Sequence, residues 1–408
     1  MTSFDASPQL NVWRALLALA VVFVMLASTG WTALRRQPVT SYSAPLPASL
    51  SAWEHGRIGG HRLPDPRSAP AALARFFASL SEVQRVSLAH RFPLAVGNMN
   101  GAPVELRYRA NRLALGEARE VERQRMRDER LTPAGQHQAG RRMNRFGALL
   151  NPDRQLLAFD PSGSGRAAEV FGDLREAERV SVVVPGVDTD LLTFQRTYRR
   201  WSAPVGMARS LYAAEHTAAP STRTAVIAWA DYTAPSGLGM EAAMATRAED
   251  GAVRLDSLLR ALPGESHVSL FCHSYGSVVC GLAAPALPGR VTDIAVAGSP
   301  GMRAETVSEL RTRARVWAMR DADDWIRDVP YLEVGGLGHG ADPVSPAFGA
   351  RVLSAREADG HGGYFVPGTD SLRNFAEIGV GAYRAVDCAH GSGVCRAGLS
   401  DAAASRRA

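Results

Sequence analysis

Short apolar runs of strand length recur through the second half of the chain, separated by stretches with helical spacing. The six runs occupy residues 180–185, 224–229, 268–271, 293–298, 315–319 and 351–354. Such runs predict strands that are buried on both faces. The helical stretches, at about 203–217, 240–262, 275–286, 302–311 and 371–384, predict the crossovers between parallel strands. The pattern therefore predicts an α/β fold whose central sheet is mostly parallel and carries helices on both faces.

Ahead of these strands the sequence predicts a β-hairpin and a helical region. Residues 155–159 and 167–171 flank the turn DPSGSGR, which gives the sheet an antiparallel edge. Helical patterns cover 70–150, with a capping box from Ser81 to Gln84. A long charged helix over about 104–130 has so narrow an apolar stripe that we expect it on the surface. We place the main domain at 151–386 and a tail at 387–408.

The amino terminus predicts contact with a membrane. Residues 15–34 carry no charge and lie between Arg14 and the pair Arg35 and Arg36. Twenty helical residues span about 30 Å, the thickness of the hydrocarbon layer. We expect 1–36 to be a membrane anchor or signal segment and the Pro/Ser/Gly-rich stretch 37–69 to be a tether. One Arg precedes the segment and two follow it, and by the positive-inside rule this difference of one residue favours a cytoplasmic body. Single N-terminal anchors commonly serve export, so we expect an extracytoplasmic body, with the orientation open.

Composition and charge narrow the class of protein. Hydrophobic residues make up 46% of the chain, enough for a large core, and the formal net charge is +6. All 46 basic residues are Arg, and acidic residues are interleaved with them. This mixture is typical of a solvated surface, so we expect no nucleic-acid partner. The oligomeric state stays open.

The run 268–282, VSLFCHSYGSVVCGL, predicts a nucleophile elbow. A strand ends at Cys272, Ser274 follows, and helical spacing resumes at once. In G-x-S-x-G elbows the Ser hydroxyl stands on a strained turn between a strand and a helix. Here Cys272 replaces the first Gly, a position that needs a small residue. The loop after residues 180–185 carries Gly186, and we expect the backbone N–H groups of Val187 and Tyr275 to form an oxyanion hole.

Two later strands end in residues that suit an acid and a base. Asp321, Asp323 and Asp324 follow 315–319; we favour Asp324, because Asp324-Trp325-Ile326 is similar to the D-P-I turn of many hydrolases. His361 follows 351–354 in a Gly-rich loop, and we favour it over His339, which precedes that strand. The order Ser274, Asp324, His361 is the order of α/β-hydrolases.

The four Cys residues allow two interpretations. Cys388 and Cys395 lie seven residues apart and form a disulfide if the body is in an oxidising space. A zinc site that adds His390 lacks a fourth ligand, so we expect no metal. Cys272 and Cys280 flank the nucleophile, and we expect both to be small buried apolar residues.

From about Phe76 to His361 the chain resembles the bacterial α/β-hydrolase family called domain of unknown function 1023. The matching segments are FFASLSEVQRVSL, FPLAVGNMNGAPVELRYRAN, LLAFDPSGSGRAAEVFGDL, VVVPGVDTD, AWADYTAP, HSYGS and HGGYF. The resemblance implies an α/β-hydrolase fold with Ser274 as nucleophile and no defined substrate. Cys272 and Trp325 depart from the usual hydrolase pattern.

The residues together favour a serine hydrolase that cleaves carboxylic esters, on a small-molecule or lipid substrate and without a cofactor. One alternative is a hydrolase-fold binding module at the cell envelope with a vestigial site. Another alternative is an amide or thioester hydrolase with the same Ser, His and Asp, because these three residue types alone do not determine which bond is cleaved. Trp229, Tyr232, Tyr275 and Trp325 fall near strand ends, where aromatic residues either line an acyl site or belong to the core.

Overall fold

The computed structural model describes residues 45–389 and 393–401. Its amino-terminal part consists of six helices and a two-stranded ribbon. The ribbon is β1 (Arg57–Ile58) and β2 (His61–Arg62). The helices are α1 (Pro45–Glu54), α2 (Pro70–Ser79), α3 (Glu82–Arg91), α4 (Pro93–Gly97), α5 (Val104–Arg125) and α6 (Pro133–Leu149).

The main part of the chain is an α/β-hydrolase fold around an eight-stranded sheet. The eight strands are β3 (Gln155–Asp160), β4 (Arg166–Phe171), β5 (Arg179–Val184), β6 (Thr224–Ala230), β7 (His267–His273), β8 (Val291–Ala297), β9 (Arg315–Met319) and β12 (Arg351–Val352). Their order across the sheet is β12-β9-β8-β7-β5-β6-β4-β3. Only the pairs β3–β4 and β4–β6 are antiparallel. All eight predicted strands are therefore confirmed, as is the antiparallel edge formed by the hairpin.

Helices cover both faces of this sheet, and a small hairpin lies outside it. The hairpin strands are β10 (Glu333–Val334) and β11 (Leu337–Gly338). The helices are α7 (Pro204–Ala218), α8 (Met240–Ala243), α9 (Thr246–Ala261), α10 (Gly276–Ala283) and α11 (Asp370–Val380). Alternate residues of the central strand β7 enter different cores: Leu270 packs with α9 and α10, whereas Phe271 packs with α7 and α11. This two-residue alternation is the side-chain period of a strand buried on both faces.

Part of the predicted tether is folded. Helix α1 begins inside the stretch expected to be irregular, and Trp53 is fully buried, with its indole N–H donating to the Pro64 carbonyl at 2.7 Å. Trp53 packs edge-on against Phe92, with ring centroids 5.6 Å apart. Leu46, Leu50 and Trp53 already have helical spacing, but the surrounding Pro and Ser residues mask it.

The long charged helix has an exposed side, as expected, but its buried side is broader than the narrow apolar stripe predicts. One side of α5 is buried, and that side includes polar residues with internal partners. Asn111 is fully buried, and its amide donates to the carbonyls of Gly97 at 3.0 Å and Leu156 at 2.8 Å. Glu122 is buried against Arg142 of α6, with 2.6 Å between the carboxylate and Nε. Because this buried face is partly polar, the pattern of apolar residues underestimates its width.

Two helix assignments also differ from the expected pattern. Helix α6, capped by Thr132 with Pro133 at its first position, lies inside the predicted helical region 70–150, but its bounds were not predicted. The helix expected at 302–311 is mostly irregular, with a single 3₁₀ turn at Val307–Leu310. Arg303 and Arg311 have φ of 58° and 47°, and left-handed residues interrupt a right-handed helix.

The predicted membrane segment, residues 15–34, lies outside the described residues. Within 45–389 and 393–401, none of the helices combines the length and the apolar character needed to cross a bilayer.

We predict that Trp53→Ala lowers the free energy of unfolding by about 3–5 kcal/mol, since it removes a fully buried indole and its hydrogen bond. Urea unfolding followed by circular dichroism measures the change. The control is Val83→Ala, a side chain of α3 that is 79% exposed, for which the shift is within about 0.5 kcal/mol. Equal unfolding midpoints for the two variants would show that α1 adds nothing to the folded body.

Candidate active site

Ser274 stands on a sharp turn between β7 and α10. Its φ of 54° lies in the left-handed region, which a residue with a side chain rarely adopts. The Ser274 backbone N–H donates to the Ala297 carbonyl at the end of β8, at 3.0 Å. The turn therefore places the Ser274 side chain at the carboxyl edge of the sheet, where ligands of parallel α/β sheets bind.

Two glycines allow the backbone to close around this turn. A Cβ on Gly186, in the loop after β5, would lie 2.6 Å from the Ser274 Cβ and 2.9 Å from its Oγ. A Cβ on Gly276, the first residue of α10, would lie 2.3 Å from the Val184 carbonyl oxygen. Real Cβ contacts are longer than these, so both positions require glycine.

The predicted base and acid lie next to Ser274. His361 Nε2 is 2.9 Å from Ser274 Oγ, and His361 Nδ1 is 2.9 Å from Asp324 Oδ1. Asp324 is fully buried, Ser274 is buried, and the His361 side chain is 17% exposed. The three side chains, which are up to 87 residues apart in sequence, thus form one hydrogen-bonded line.

The surroundings of Asp324 keep its carboxylate ionised. Burial alone would raise its pKa, but donors outweigh that effect and lower the pKa below its ordinary value. These donors are His361 Nδ1, the Tyr364 hydroxyl at 2.5 Å and the Ile326 backbone N–H at 2.9 Å. An ionised carboxylate only accepts hydrogen bonds, so the neutral form of His361 has its proton on Nδ1 and offers the Nε2 lone pair to Ser274.

The other two Asp residues of this loop have different surroundings. Asp323 is exposed. Asp321 is buried, and its Oδ2 accepts from the backbone N–H groups of Asp323 and Gly360, each at 3.1 Å. Of the three, Asp324 contacts His361, whereas Asp321 connects the loop after β9 to the loop that carries His361.

His339, the alternative base, contacts other groups. Its Nε2 is 2.7 Å from the Ala242 carbonyl, and its ring meets that of Tyr275 edge-on at 5.6 Å. Burial lowers the pKa of His339, so its ring is neutral at pH 7 and Nε2 is the donor to that carbonyl.

The two expected oxyanion donors flank Ser274. Tyr275 follows it directly, and Val187 follows Gly186, whose backbone touches the Ser274 side chain. Within the described part of the chain, residues 45–389 and 393–401, the backbone N–H groups of Val187 and Tyr275 donate no hydrogen bond. The side chain of Tyr275 is directed away from the edge of the sheet, and its hydroxyl donates to the Met244 carbonyl at 2.8 Å.

Two further side chains hold the site together, and the sequence analysis did not single them out. His273 Nε2 donates to the backbone carbonyl of His361 at 2.6 Å; burial, and then the neighbouring His361, lower the pKa of His273 to about 3, so its ring is neutral. Burial raises the pKa of Tyr364, which stays protonated and donates to Asp324. His273 fills the variable position of the elbow motif, and Tyr364 follows His361 by three residues; neither position carries a chemical signal by itself.

The expectation for Cys272 and Cys280 is wrong in one respect: they are buried, but they form a disulfide. The bond joins the end of β7 to α10, so it spans the turn at Ser274. It also gives a reason for the departure from G-x-S-x-G, because a glycine at 272 could not form this bond. Cys388 and Cys395 form a second disulfide, as the sequence analysis anticipated for an oxidising space.

Of the four aromatic residues near strand ends, three belong to the core and one is exposed. Trp229 and Tyr232 stack in the core with ring centroids 5.7 Å apart, and Tyr275 is buried as well. Trp325 is 41% exposed, and the centroid of its ring lies 4.6 Å from that of His361, so it lies beside the candidate base at the protein surface.

The region offers no other obvious reaction centre. Within the described residues, no group of three or more His, Cys, Asp or Glu side chains is placed to hold a metal ion, and His390 lies outside those residues. A cleft of about 810 Å³ beside β9 and β12 is lined by Asp321 and several Arg residues, but not by Ser274 or His361.

Comparison with known proteins agrees with the fold. A family model described as "Alpha/beta hydrolase" matches residues 160–334, which include Ser274 and Asp324 but not His361. The uncharacterized protein Rv2079 of Mycobacterium tuberculosis is 25% identical in an alignment of 381 positions, which covers 78% of this chain. The chain spans 57% of the length of that relative. The uncharacterized protein Rv0963c of the same organism is 32% identical over 168 residues, 39% of this chain and 62% of the relative.

Two solved structures have a low similarity to this chain. An α/β serine hydrolase without a lid, XC6422 from Xanthomonas campestris, has a TM-score of 0.34 at 14% identity and covers 56% of this chain and 94% of its own. The 2,6-dihydroxy-pseudo-oxynicotine hydrolase has a TM-score of 0.35 at 9% identity, with coverages of 76% and 96%. The narrower resemblance to domain of unknown function 1023 stays a prediction.

We predict that all four Cys residues resist alkylation until the protein is reduced. The protein is exported to an oxidising compartment of the expression host, blocked with N-ethylmaleimide under denaturing conditions, then reduced, labelled with iodoacetamide and digested. Mass spectrometry should find the acetamide label on Cys272, Cys280, Cys388 and Cys395. The maleimide label on Cys272 or Cys280 would contradict the link across the elbow.

Proposed function

We propose that the protein is a serine hydrolase that cleaves carboxylic esters through Ser274, His361 and Asp324. One observation carries the proposal: Ser274 Oγ, on a left-handed turn, is 2.9 Å from His361 Nε2, while the opposite nitrogen of that ring is 2.9 Å from the buried Asp324 carboxylate. A hydroxyl next to a neutral imidazole, itself oriented by a carboxylate, is the arrangement that activates a serine nucleophile.

The reaction begins with attack by Ser274 Oγ on the ester carbonyl. His361 Nε2 takes the hydroxyl proton as the C–O bond forms, and the imidazolium that results is stabilised by Asp324. Nε2 then gives the proton to the alcohol oxygen, the ester bond breaks, and an acyl-enzyme remains. Water attacks the acyl-enzyme with His361 again as base, which releases the acid and restores Ser274.

The negative charge that develops on the carbonyl oxygen needs donors already in place. In this proposal the backbone N–H groups of Val187 and Tyr275 bind it. Tyr275 begins the turn into α10, so the helix N-terminus also faces the developing charge. Fixed donors of this kind are among the largest contributions to acyl transfer, since they need no reorganisation during the reaction.

The alternative of a binding module with a vestigial site expects His361 to be turned away from Ser274. The contact at 2.9 Å favours an active hydrolase instead. The geometry does not separate esters from amides or thioesters, because the same three side chains serve all of them.

The proposal includes attachment to a membrane through residues 15–34, with the body outside the cytoplasm. Disulfides persist in oxidising compartments, so the pairs Cys272–Cys280 and Cys388–Cys395 favour that side of the membrane.

We expect the native protein to react covalently with a fluorophosphonate probe, which modifies activated serines. In-gel fluorescence measures labelling of the wild type, of Ser274→Ala and of the control Ser277→Ala. Ser277 lies in the same elbow, but its hydroxyl contacts the Cys272 carbonyl at 3.3 Å. Only Ser274→Ala should lose the label. Folded wild-type protein that never reacts, or equal labelling of the Ser274 variant, would refute the proposal.

Asp324→Asn should lower kcat for 4-nitrophenyl butyrate by about 10³- to 10⁴-fold, because the amide no longer holds the required His361 tautomer. Asp323→Asn is the control: it is exposed, and it should change kcat by no more than about twofold. Steady-state kinetics at pH 8 compare the two, and circular dichroism shows that both are folded. Similar losses in both variants would argue against Asp324 as the acid.

A further inference from the structure

Exposed apolar side chains are concentrated on segments next to the loops that surround Ser274. Twelve large hydrophobic side chains of the described residues are exposed, and seven of them lie on three neighbouring segments. We call these seven the apolar rim: Leu238 (65% exposed), Met240 (42%), Met244 (41%), Trp325 (41%), Leu332 (49%), Val334 (68%) and Leu337 (40%).

The first segment, residues 235–244, lies against the predicted oxyanion loop. Asp188, next to Val187, donates its N–H to the Pro235 carbonyl at 2.9 Å and accepts from the Gly237 N–H at 2.7 Å. The other end of the segment is fixed to the elbow, since the Met244 carbonyl accepts from Tyr275. Leu238 and Met240 therefore project from a loop anchored on both sides of the reactive serine.

The second and third segments continue the rim. The hairpin of β10 and β11 joins the first segment through a bridge between Leu337 and Met244. Trp325 completes the rim on the side of His361, 4.6 Å from that ring. The seven side chains thus lie on three segments, which contact the predicted oxyanion loop, each other or the His361 ring.

The stretch of chain that leads from the predicted oxyanion loop to the His361 loop is basic. Residues 195–201 run between the oxyanion loop and the His361 loop; Ser202 comes within 3.4 Å of a Cβ placed on Gly362. Arg196, Arg199 and Arg200 are exposed there, and none of them forms an ion pair among those found in the described part of the chain. Tyr198, another of the twelve exposed hydrophobic side chains, lies between them at 76% exposure.

From this arrangement we infer that the rim docks onto an anionic lipid surface and that the substrate is an acyl ester held in that surface. The inference rests on the proposed ester hydrolysis. Clustered exposed apolar residues mark a surface that another phase or molecule covers. In a lipid surface, acyl chains lie beneath negatively charged head groups. Apolar side chains suit the acyl chains, and the nearby Arg residues without ion pairs and the exposed Tyr suit the head groups.

Charge favours a lipid surface over a second copy of this chain. The stretch 195–201 contains three Arg and no acidic residue, so two copies meeting through it would repel each other. In contrast, three of the four acids near the rim, Glu241, Glu333 and Asp328, are within ion-pair distance of an Arg side chain. The fourth, Asp323, is exposed and forms no ion pair among those found in the described residues. The sequence-predicted membrane segment also ends ten residues before Pro45, so a bilayer is a surface that the chain is expected to meet.

The test uses the full-length chain reconstituted into vesicles, so that anchoring through residues 15–34 is the same for every variant. The lipid probe is 4-methylumbelliferyl oleate in vesicles of phosphatidylglycerol or of phosphatidylcholine. The monomeric probe is 4-methylumbelliferyl butyrate, added in solution to the same preparations. The double variant Leu238→Asn/Val334→Asn should hydrolyse the oleate ester in phosphatidylglycerol about tenfold more slowly and the butyrate ester at an unchanged rate.

Matched controls separate the rim from general changes of the surface. Val83→Asn/Val253→Asn replaces side chains that are 79% and 72% exposed elsewhere, and it should leave both rates unchanged. Arg196→Gln/Arg199→Gln should slow hydrolysis in phosphatidylglycerol but not in phosphatidylcholine, and added salt should reduce the difference. Arg75→Gln/Arg109→Gln is its control and should have no effect.

The outcomes distinguish this inference from the function on which it rests. Wild-type protein that cleaves neither ester contradicts the proposed function. Wild-type protein that cleaves butyrate but not vesicle-bound oleate, or rim variants that match their controls, would overturn the inference alone. Light scattering of the same preparations would overturn it as well if the rim variants convert a dimer to a monomer without changing hydrolysis in vesicles, because the occupant would then be a second copy.

Discussion

The left-handed turn at Ser274 is the constraint on which the rest of the site depends. A residue with a Cβ at φ near 54° costs roughly 1–3 kcal/mol, so the surrounding structure must compensate for it. Strand β7, buried among its neighbours, fixes one side of the turn, and the hydrogen bond to Ala297 fixes its backbone. Glycines at 186 and 276 let the next loop and the helix come close enough to enclose it.

The sheet could be predicted from the sequence because its strands are buried on both faces. Continuous apolar runs leave few alternatives, and all eight strands were placed within a few residues. The amino-terminal helices were harder to predict, since their packing depends on residues that do not look apolar as a group. The amide N–H groups of Asn111 and the carboxylate of Glu122 have internal partners that offset the cost of their burial, and these partners lie far away in sequence.

The positions of Ser274, Asp324 and His361 followed from chain order and strand ends, and the structure brings these side chains together. What the sequence could not supply was the set of contacts between loops. His273 and Tyr364 act through single hydrogen bonds, and Cys272 looked like a small apolar residue because its partner belongs to the following helix. Pairings of this kind become visible only when separate elements are placed side by side.

The candidate base, His361, is held by contacts with the end of β7 and with the loop after β9, and not only by its own strand. The carbonyl of His361 is bound by His273 at the end of β7, and the N–H of Gly360 is bound by Asp321 after β9. Strand β12, which precedes the loop, contributes only two residues at the edge of the sheet. The position of the His361 imidazole relative to the Ser274 hydroxyl is therefore fixed by groups outside β12, so it does not depend on the shortest strand of the sheet alone.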